Sequence, residues 1–308
     1  MFLFYYICVS TNLKTMNKLC FLLSLLLFST LPSCKPGQQP NNIAVMSFNI
    51  RYNNPADSLN SWPLRAESVA EAMLFHNADI IGTQEVLHDQ LIKLKSHLSD
   101  EYNAIGVGRD DGLTQGEYAA LWYKKSRFEL ADSGNFWLSE TPDIAGSRGW
   151  DAACVRIATW AILRDKDSGR ELFALNTHFD HVGQTARAES VELILNRADS
   201  LSAGRPIIIT GDFNSTPQSN VVISLTDTSN PKHLCDTRTS AQISHGPNWS
   251  YHEFFNMPIE KRSLIDFIFY RGPLSVNKYA VIAEVNNSGR PLSDHCPVIA
   301  TFSWTDKN

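Results

Sequence analysis

One arrangement occurs twice in this 308-residue chain and limits what it can fold into. Residues 43–50 (IAVMSFNI) form an apolar run ending at Asn49. Ser61-Trp62-Pro63 then opens a stretch with Ala66, Val69, Ala70, Met73 and Leu74 at helical spacing, and residues 80–83 form a second short run followed by Gln84 and Glu85. Downstream the order returns. Residues 172–177 run into Thr177-His178-Phe179-Asp180-His181, a helical stretch covers 184–201, and residues 206–210 lead into Gly211-Asp212-Phe213-Asn214. Short apolar runs bounded by turn residues read as buried strands. Each unit is therefore β-α-β, with Pro63 in the first turn of its helix in the first case. A right-handed crossover makes the two strands parallel and brings their carboxyl ends to one rim, where ligands of open α/β sheets bind. Two such units predict two sheets packed face to face with helices outside.

Between and after the units, residues 102–105, 118–123, 128–131 and 156–163 read as further strands, as do 263–270, 279–285 and 296–304. Residues 221–225 read as a short helix, 226–249 as polar and irregular, and 106–116, 139–151 and 226–258 as surface loops that shape a site. Trp150, between Arg148 and Asp151 in one of them, is a loop aromatic of interest. Asp266 lies among Leu264, Ile265, Phe267 and Ile268, where an acid is costly unless it is paired.

The amino terminus reads as a targeting segment. From Met16 a lysine, an apolar run over 21–28 and small residues before Cys34 follow the layout of a secretory signal, too short to span a bilayer. Residues 1–15 look like an upstream start extension. Leu31-Pro32-Ser33-Cys34 resembles a bacterial lipobox, so residues 1–33 are expected to be a signal peptide and 34–42 a polar tether with Cys34 lipidated. Residues 43–308 are then the folded domain of an exported, lipid-anchored protein, periplasmic or on the outer membrane, and monomeric. Residues 1–33 carry Lys14 and Lys18 and no acid, so their removal takes the formal charge from −5 to −7. An acidic domain without a basic stripe argues against strong non-specific nucleic-acid binding. Cys154, Cys235 and Cys296 remain, which permits one disulfide, and no Cys/His spacing suggests zinc.

The polar residues at strand ends gather from the whole chain: Asn49, Glu85, His178, Asp212, Asn214, Asp266, Asp294 and His295. Hard oxygen donors such as Glu85, Asn49 and Asp294 suit Mg²⁺, Mn²⁺ or Ca²⁺. Two histidines beside a further acid–amide pair suit phosphoester hydrolysis, which needs charge on the phosphoryl oxygens and a positioned water. Glu85 taken alone reads equally as a helix-start acid.

The set FNI, TQE, NTHFDH, GDFN, IDFIF and SDHCPV, in this order from residue 43 to 304, resembles the endonuclease/exonuclease/phosphatase superfamily with its DNase I-like fold. FNIRY, FWLSETP, RIATW and SYHEF add a likeness to secreted bacterial members related to the deadenylases. The resemblance implies a four-layer α/β sandwich of two mixed sheets flanked by helices. It also implies Glu85 as principal ligand of Mg²⁺ or Mn²⁺, with Asn49 and Asp294 assisting. Asp212 and Asn214 would orient water and phosphate, His178 would donate to a non-bridging oxygen, and His295 held by Asp266 would be base or transition-state stabiliser. Whether Asp212 or His295 removes the water's proton stays open. Arg51, Arg156, Arg187 and His252 are candidates for a sugar or second phosphate. Arg51, two residues past Asn49, should face the same way on an extended chain, whereas Arg187 is equally an ordinary exposed helix residue. Glu253 follows His252 where relatives of this branch carry glycine, making the rim more acidic. The expected activity is metal-dependent hydrolysis of a phosphodiester or phosphomonoester by in-line attack of water, on a phosphorylated small molecule, sugar, lipid or nucleotide. A nuclease and a catalytically silent binding module are the alternatives.

Overall fold

The two repeated units are the spine of two different sheets. In the computed structural model, which describes residues 42–305, β1 (Asn42–Asn49), α1 (Trp62–His76) and β2 (Ile80–Val86) form the first, with β1 and β2 parallel. After α2 (His88–Leu98) come β3 (Tyr102–Ile105), β4 (Tyr118–Lys124), β5 (Phe128–Trp137) and β6 (Ile157–Asp165). The second unit is β7 (Glu171–His178), α3 (Gln184–Ser202) and β8 (Ile207–Asp212), again with parallel strands. The chain finishes with α4 (Asn220–Leu225), β9 (Cys235–Asp236), α5 (Thr237–Ser240), β10 (Ile243–His245), β11 (Asp266–Arg271), β12 (Leu274–Val281) and β13 (Val298–Trp304). Seven strands pair in the order β10-β12-β13-β1-β2-β4-β3 and six in the order β5-β6-β7-β8-β11-β9, both mixed. The proposed signal peptide and the tether up to residue 41 lie outside the described residues.

Alternation along β1 shows how the layers form. Ile43 and Val45 join a core shared with Phe173, Leu175, Ile207 and Ile209 of the other sheet. Met46, Phe48 and Ile50 face the opposite way and pack with Val69, Met73 and Leu94 of α1 and α2, as side chains two apart share a face. α3 and α4 cover the six-stranded sheet through Val191, Ile194, Leu195 and Val222. The result is a four-layer α/β sandwich.

The interface between the sheets is not wholly apolar. Asn176 of β7 donates at 2.9 Å to the carbonyls of Thr83 and Ala120, and its own oxygen accepts from Gln84 at 2.6 Å and from Thr210 at 3.0 Å. Gly82 makes room for this group, since a Cβ there would stand 2.0 Å from the Thr210 hydroxyl. All four polar capacities of the Asn176 amide are met, so its burial carries no unmet hydrogen bond.

Three expectations about strands need correction. β12 covers Leu274–Val281 and not 279–285, because its register against β13 slips between Val276 and Lys278. The extra residue, Asn277, points its amide at Asn42 and Ser303, which breaks the alternation that would have revealed the strand. β5 runs on to Trp137 through the polar residues Asp132–Asn135, exposed or half-buried on an edge strand. The stretch 226–249 holds two short strands and a helical turn. Cys154, Cys235 and Cys296 are free thiols, so the permitted disulfide is not formed.

Candidate active site

Two backbone devices set the first half of the site. By alternation Glu85 would follow Ile81 and Thr83 toward the helix layer. Instead the register between β2 and β4 slips between Thr83 and Val86, and Glu85 stands at φ 60°. This is a bulge, the device that re-aims one side chain at a sheet rim. Glu85 is turned toward Asn49, whose amide donates to it at 3.0 Å, and the Tyr52 amide holds its second oxygen at 3.0 Å. Arg51 also reaches the site, but not by strand alternation: β1 ends at Asn49 and Arg51 has φ 61°. Its amide closes on the Asn49 side-chain oxygen at 3.0 Å. Its guanidinium grips Asp57 with two bonds of 3.0 Å and lies 3.7 Å from Asp294.

The second half is delivered by straight strands. His178 and Asp212 are direct partners in the parallel register of β7 and β8. Asp212 accepts from the Asn49 amide at 3.0 Å and from the backbone of Asn214 at 2.9 Å, which closes the turn that aims Asn214. The Asn214 amide donates to the Phe179 carbonyl and to Nε2 of His178, both at 3.0 Å. That network places the His178 proton on Nδ1. Asp266, the first residue of β11, accepts from Nδ1 of His295 at 2.8 Å and from the Ser250 hydroxyl at 2.6 Å. The buried acid thus has the partner its surroundings required.

Glu85, His178, Asp212, Asn214, Asp294, His295, Arg51 and Arg156 line one cavity of about 480 Å³. A cavity of about 600 Å³, around Glu171, Arg205 and Trp304, lies at the opposite ends of β7 and β8 and has no such grouping. Electrostatics divide the first of these cavities. Burial, with the charge of Asp266, pushes the Asp212 carboxyl up to about 7, and burial raises Asp294 above the usual carboxylate range. Burial opposes a charged ring at both histidines. At His295 the adjacent Asp266, Asp212 and Asp294 outweigh it and raise the pKa well above its ordinary value. At His178 nearby Arg156 and Arg109 add to burial and hold the ring neutral.

Burial raises these acids although His295 and Arg51 stand beside them, and a divalent cation would add compensating charge. Carboxylate oxygens of Glu85 and Asp212 lie within 4.8 Å of one another, and an oxygen set of this kind suits a hard cation. The residues present therefore fit a divalent metal.

The opposite end of the cavity is basic and was missed in part from sequence. Arg156 was singled out; Arg109 and Glu117 were not. Arg156 donates to Asp180 at 3.4 Å and to His181 at 3.0 Å, while its Nη1 is buried without a hydrogen-bond partner. Arg109 donates to Glu117 at 2.6 Å, and its Nε is likewise unmet, as is Nδ1 of His178. Glu117, raised by burial, was legible only as a charge at the start of a wholly buried strand, YAALWYK. Tyr52, Tyr251 and His181 also line the cavity, and Tyr251 packs its ring 4.9 Å from that of His295.

Two expected substrate contacts are absent from the cavity wall. The Arg187 guanidinium donates to the Asp180 carbonyl at 2.8 Å and so supports the Arg156 loop. His252 is buried beneath the rim, accepts from the Phe255 amide at 2.9 Å, and is held neutral with a pKa lowered to about 3 by burial. Trp150 likewise does not line it; its amide donates to the Glu140 carboxylate.

Comparisons with known proteins agree with this geometry. The model of the "Endonuclease/Exonuclease/phosphatase family" matches residues 46–295. An endonuclease/exonuclease/phosphatase from Bacteroides vulgatus superposes with a TM-score of 0.82 at 44% identity, covering 85% of this chain and 99% of that one. The mannosyl-6-phosphatase of Bacteroides thetaiotaomicron superposes with a TM-score of 0.79 at 35% identity, covering 85% and 100%. An uncharacterised protein of Acanthamoeba polyphaga mimivirus is 24% identical over 313 residues, which cover 86% of this chain and 44% of the viral one.

Proposed function

The chain belongs to the endonuclease/exonuclease/phosphatase family, whose members are metal-dependent hydrolases of phosphate esters, and from that premise we propose that it hydrolyses a phosphomonoester of a small polyhydroxylated molecule with Mg²⁺ or Mn²⁺. The observation that carries this reading is the division of one cavity into an acidic and a basic end. The buried Nη1 of Arg156, Nε of Arg109 and Nδ1 of His178 make no hydrogen bond within the protein, the nearest carboxylates to the last two being Asp110 at 3.8 Å and Glu117 at 3.9 Å. A buried polar group without a partner costs about 1–3 kcal/mol, and the terminal oxygens of a monoester phosphate would satisfy all three. A diester has one fewer such oxygen. The mannosyl-6-phosphatase at 35% identity supports a sugar phosphate.

In this proposal Glu85 would hold the cation with Asp294, Asn49 would assist by fixing Glu85 through its amide while its own oxygen accepts from the Arg51 amide, and a bound cation would supply Lewis-acid stabilisation of the phosphoryl oxygens. Asn214 and Asp212 orient the attacking water. His295, fixed by Asp266, stands with Nε2 3.8 Å from Asp212, so the two groups titrate as a coupled pair and one of them takes the water's proton. Arg156 and Arg109 contact the non-bridging oxygens of the phosphoryl group and stabilise the charge they carry.

Turnover of mannose 6-phosphate, bis(p-nitrophenyl) phosphate, single-stranded RNA and DNA is measured with Mg²⁺, Mn²⁺ or EDTA. Phosphate release from the monoester, at least about a hundredfold faster than diester cleavage and abolished by EDTA, is the expected result. Preferential cleavage of the diester or of nucleic acid overturns the reading. Export and lipidation at Cys34 belong to the same proposal and rest on the amino-terminal sequence. Labelled palmitate should enter the wild-type protein in a bacterial host and not the Cys34→Ala variant.

A further inference from the structure

A second chamber of about 590 Å³ adjoins the catalytic cavity and shares Arg51, Tyr251 and Asp294 with it. Two turns build its other walls, Pro55–Asn60 and Glu253–Phe255. Arg51, at the partition, is committed to Asp57 through two bonds of 3.0 Å. It stands as a post between the chambers and is not a free anion receptor. Asn60, Glu253, Asn256 and Arg290 line the chamber, with Glu253 and Asn256 exposed. Half-buried Phe254 and the Tyr251 ring give it apolar surfaces.

This chemistry differs from that of the first chamber. Amides and a carboxylate accept from hydroxyls, and amide and guanidinium groups donate to them. Aromatic rings cover the C–H face of a ring that carries those hydroxyls. A second phosphate is poorly matched, because the acids Asp57, Glu253 and Asp294 at the wall outnumber Arg51 and Arg290. The turn that presents Glu253 is held firmly. Glu253, Phe254 and Phe255 have φ of 51°, 55° and 66°, a conformation side chains adopt only when their surroundings impose it. His252 accepts from the Phe255 amide at 2.9 Å, Arg262 donates to the Met257 carbonyl at 2.9 Å, and the Arg65 guanidinium lies 5.5 Å from the Phe254 ring centre.

We infer that this second chamber is the subsite for the alcohol part of the substrate, a hexose-sized polyol whose ester phosphate occupies the first, and that Glu253 and Asn256 determine which alcohol is accepted. The inference rests on the phosphomonoesterase reading above.

The test compares wild type, Glu253→Gln and Asn256→Ala on mannose 6-phosphate and on p-nitrophenyl phosphate, whose leaving group has no hydroxyls. Circular dichroism melts confirm that the variants fold. On the sugar phosphate kcat/KM should fall about tenfold for each hydrogen bond lost, with p-nitrophenyl phosphate changed less than about twofold. Equal losses on both substrates, or none on the sugar phosphate, overturn the subsite. Should the wild type hydrolyse neither compound, the reaction reading fails by itself, and saturation-transfer NMR with mannose 6-phosphate then decides the subsite. Saturation of the hexose ring protons that weakens in Glu253→Gln supports it; equal or absent saturation in the two proteins overturns it.

Discussion

The two β-α-β units share a scaffold and end in different chemistry. β7 and β8 deliver His178 and Asp212 as register partners, with no distortion of either strand. β1 and β2 deliver Asn49 in the same way, but Glu85 only through a bulge and a left-handed residue. The first rim collects oxygens suited to a cation, the second an acid, an amide and an imidazole suited to water and phosphate. Neither unit supplies Arg109 or Arg156, which come from the segment between them. The scaffold thus fixes where the rims meet, and a single departure from regular geometry decides what the first rim offers.

The largest effect should separate the rims. Glu85→Ala should lower kcat by roughly a thousandfold or more, and the milder Glu85→Gln should raise the Mg²⁺ concentration needed for half activity. His178→Ala should cost about a hundredfold in kcat at saturating Mg²⁺ without moving that midpoint. A shift of the metal midpoint in the His178 variant as large as in the Glu85 variant would dissolve the distinction. Arg156→Ala comes next. Loss of one charged hydrogen bond should raise KM for a phosphomonoester about tenfold or more while sparing a diester, as read from initial rates on matched substrates.

The smallest effect concerns a residue that belongs to neither rim. His252→Gln should leave kcat within about threefold and alter acid stability. The folded His252 pKa, about 3, lies below the ordinary 6.5, so the unfolded chain binds the extra proton between these values. Stability from this group is therefore full above pH 6.5 and is lost as pH falls toward 3. Between pH 6.5 and 5.5 the wild type should lose about 1 kcal/mol that the variant keeps, measured by urea unfolding at each pH.

What sequence could reveal followed from range. Asn49, Glu85, His178, Asp212, Asn214, Asp266, Asp294 and His295 each follow, interrupt or precede an apolar run, so their types and positions were readable before any fold existed. Arg109 lies in a Gly- and Asp-rich loop whose shape depends on backbone turns, and Glu117 precedes aromatic residues that masked it. His252 was a substrate candidate through the likeness of SYHEF to the bacterial branch, yet it lies buried before the left-handed turn at 253–255. The strand β12 was displaced in the sequence reading for a similar reason: one bulged residue, Asn277, erased the alternation of Leu274, Val276 and Tyr279. Periodicity records regular structure, and each of these cases depends on an irregularity.

The Asn176 cluster between the sheets bears on fidelity of assembly. A purely apolar seam tolerates sheets that dock one repeat out of place, since a methyl group accepts almost any apolar neighbour. The Asn176 amide does not, because three of its four partners lie at fixed positions on β2 and β4 of the facing sheet. A slipped docking would strand those groups at about 1–3 kcal/mol for each unmet partner and would take Gly82 out of the gap that fits it. The seam therefore acts as a gauge, admitting only the docking in which the two rims stand at working distance.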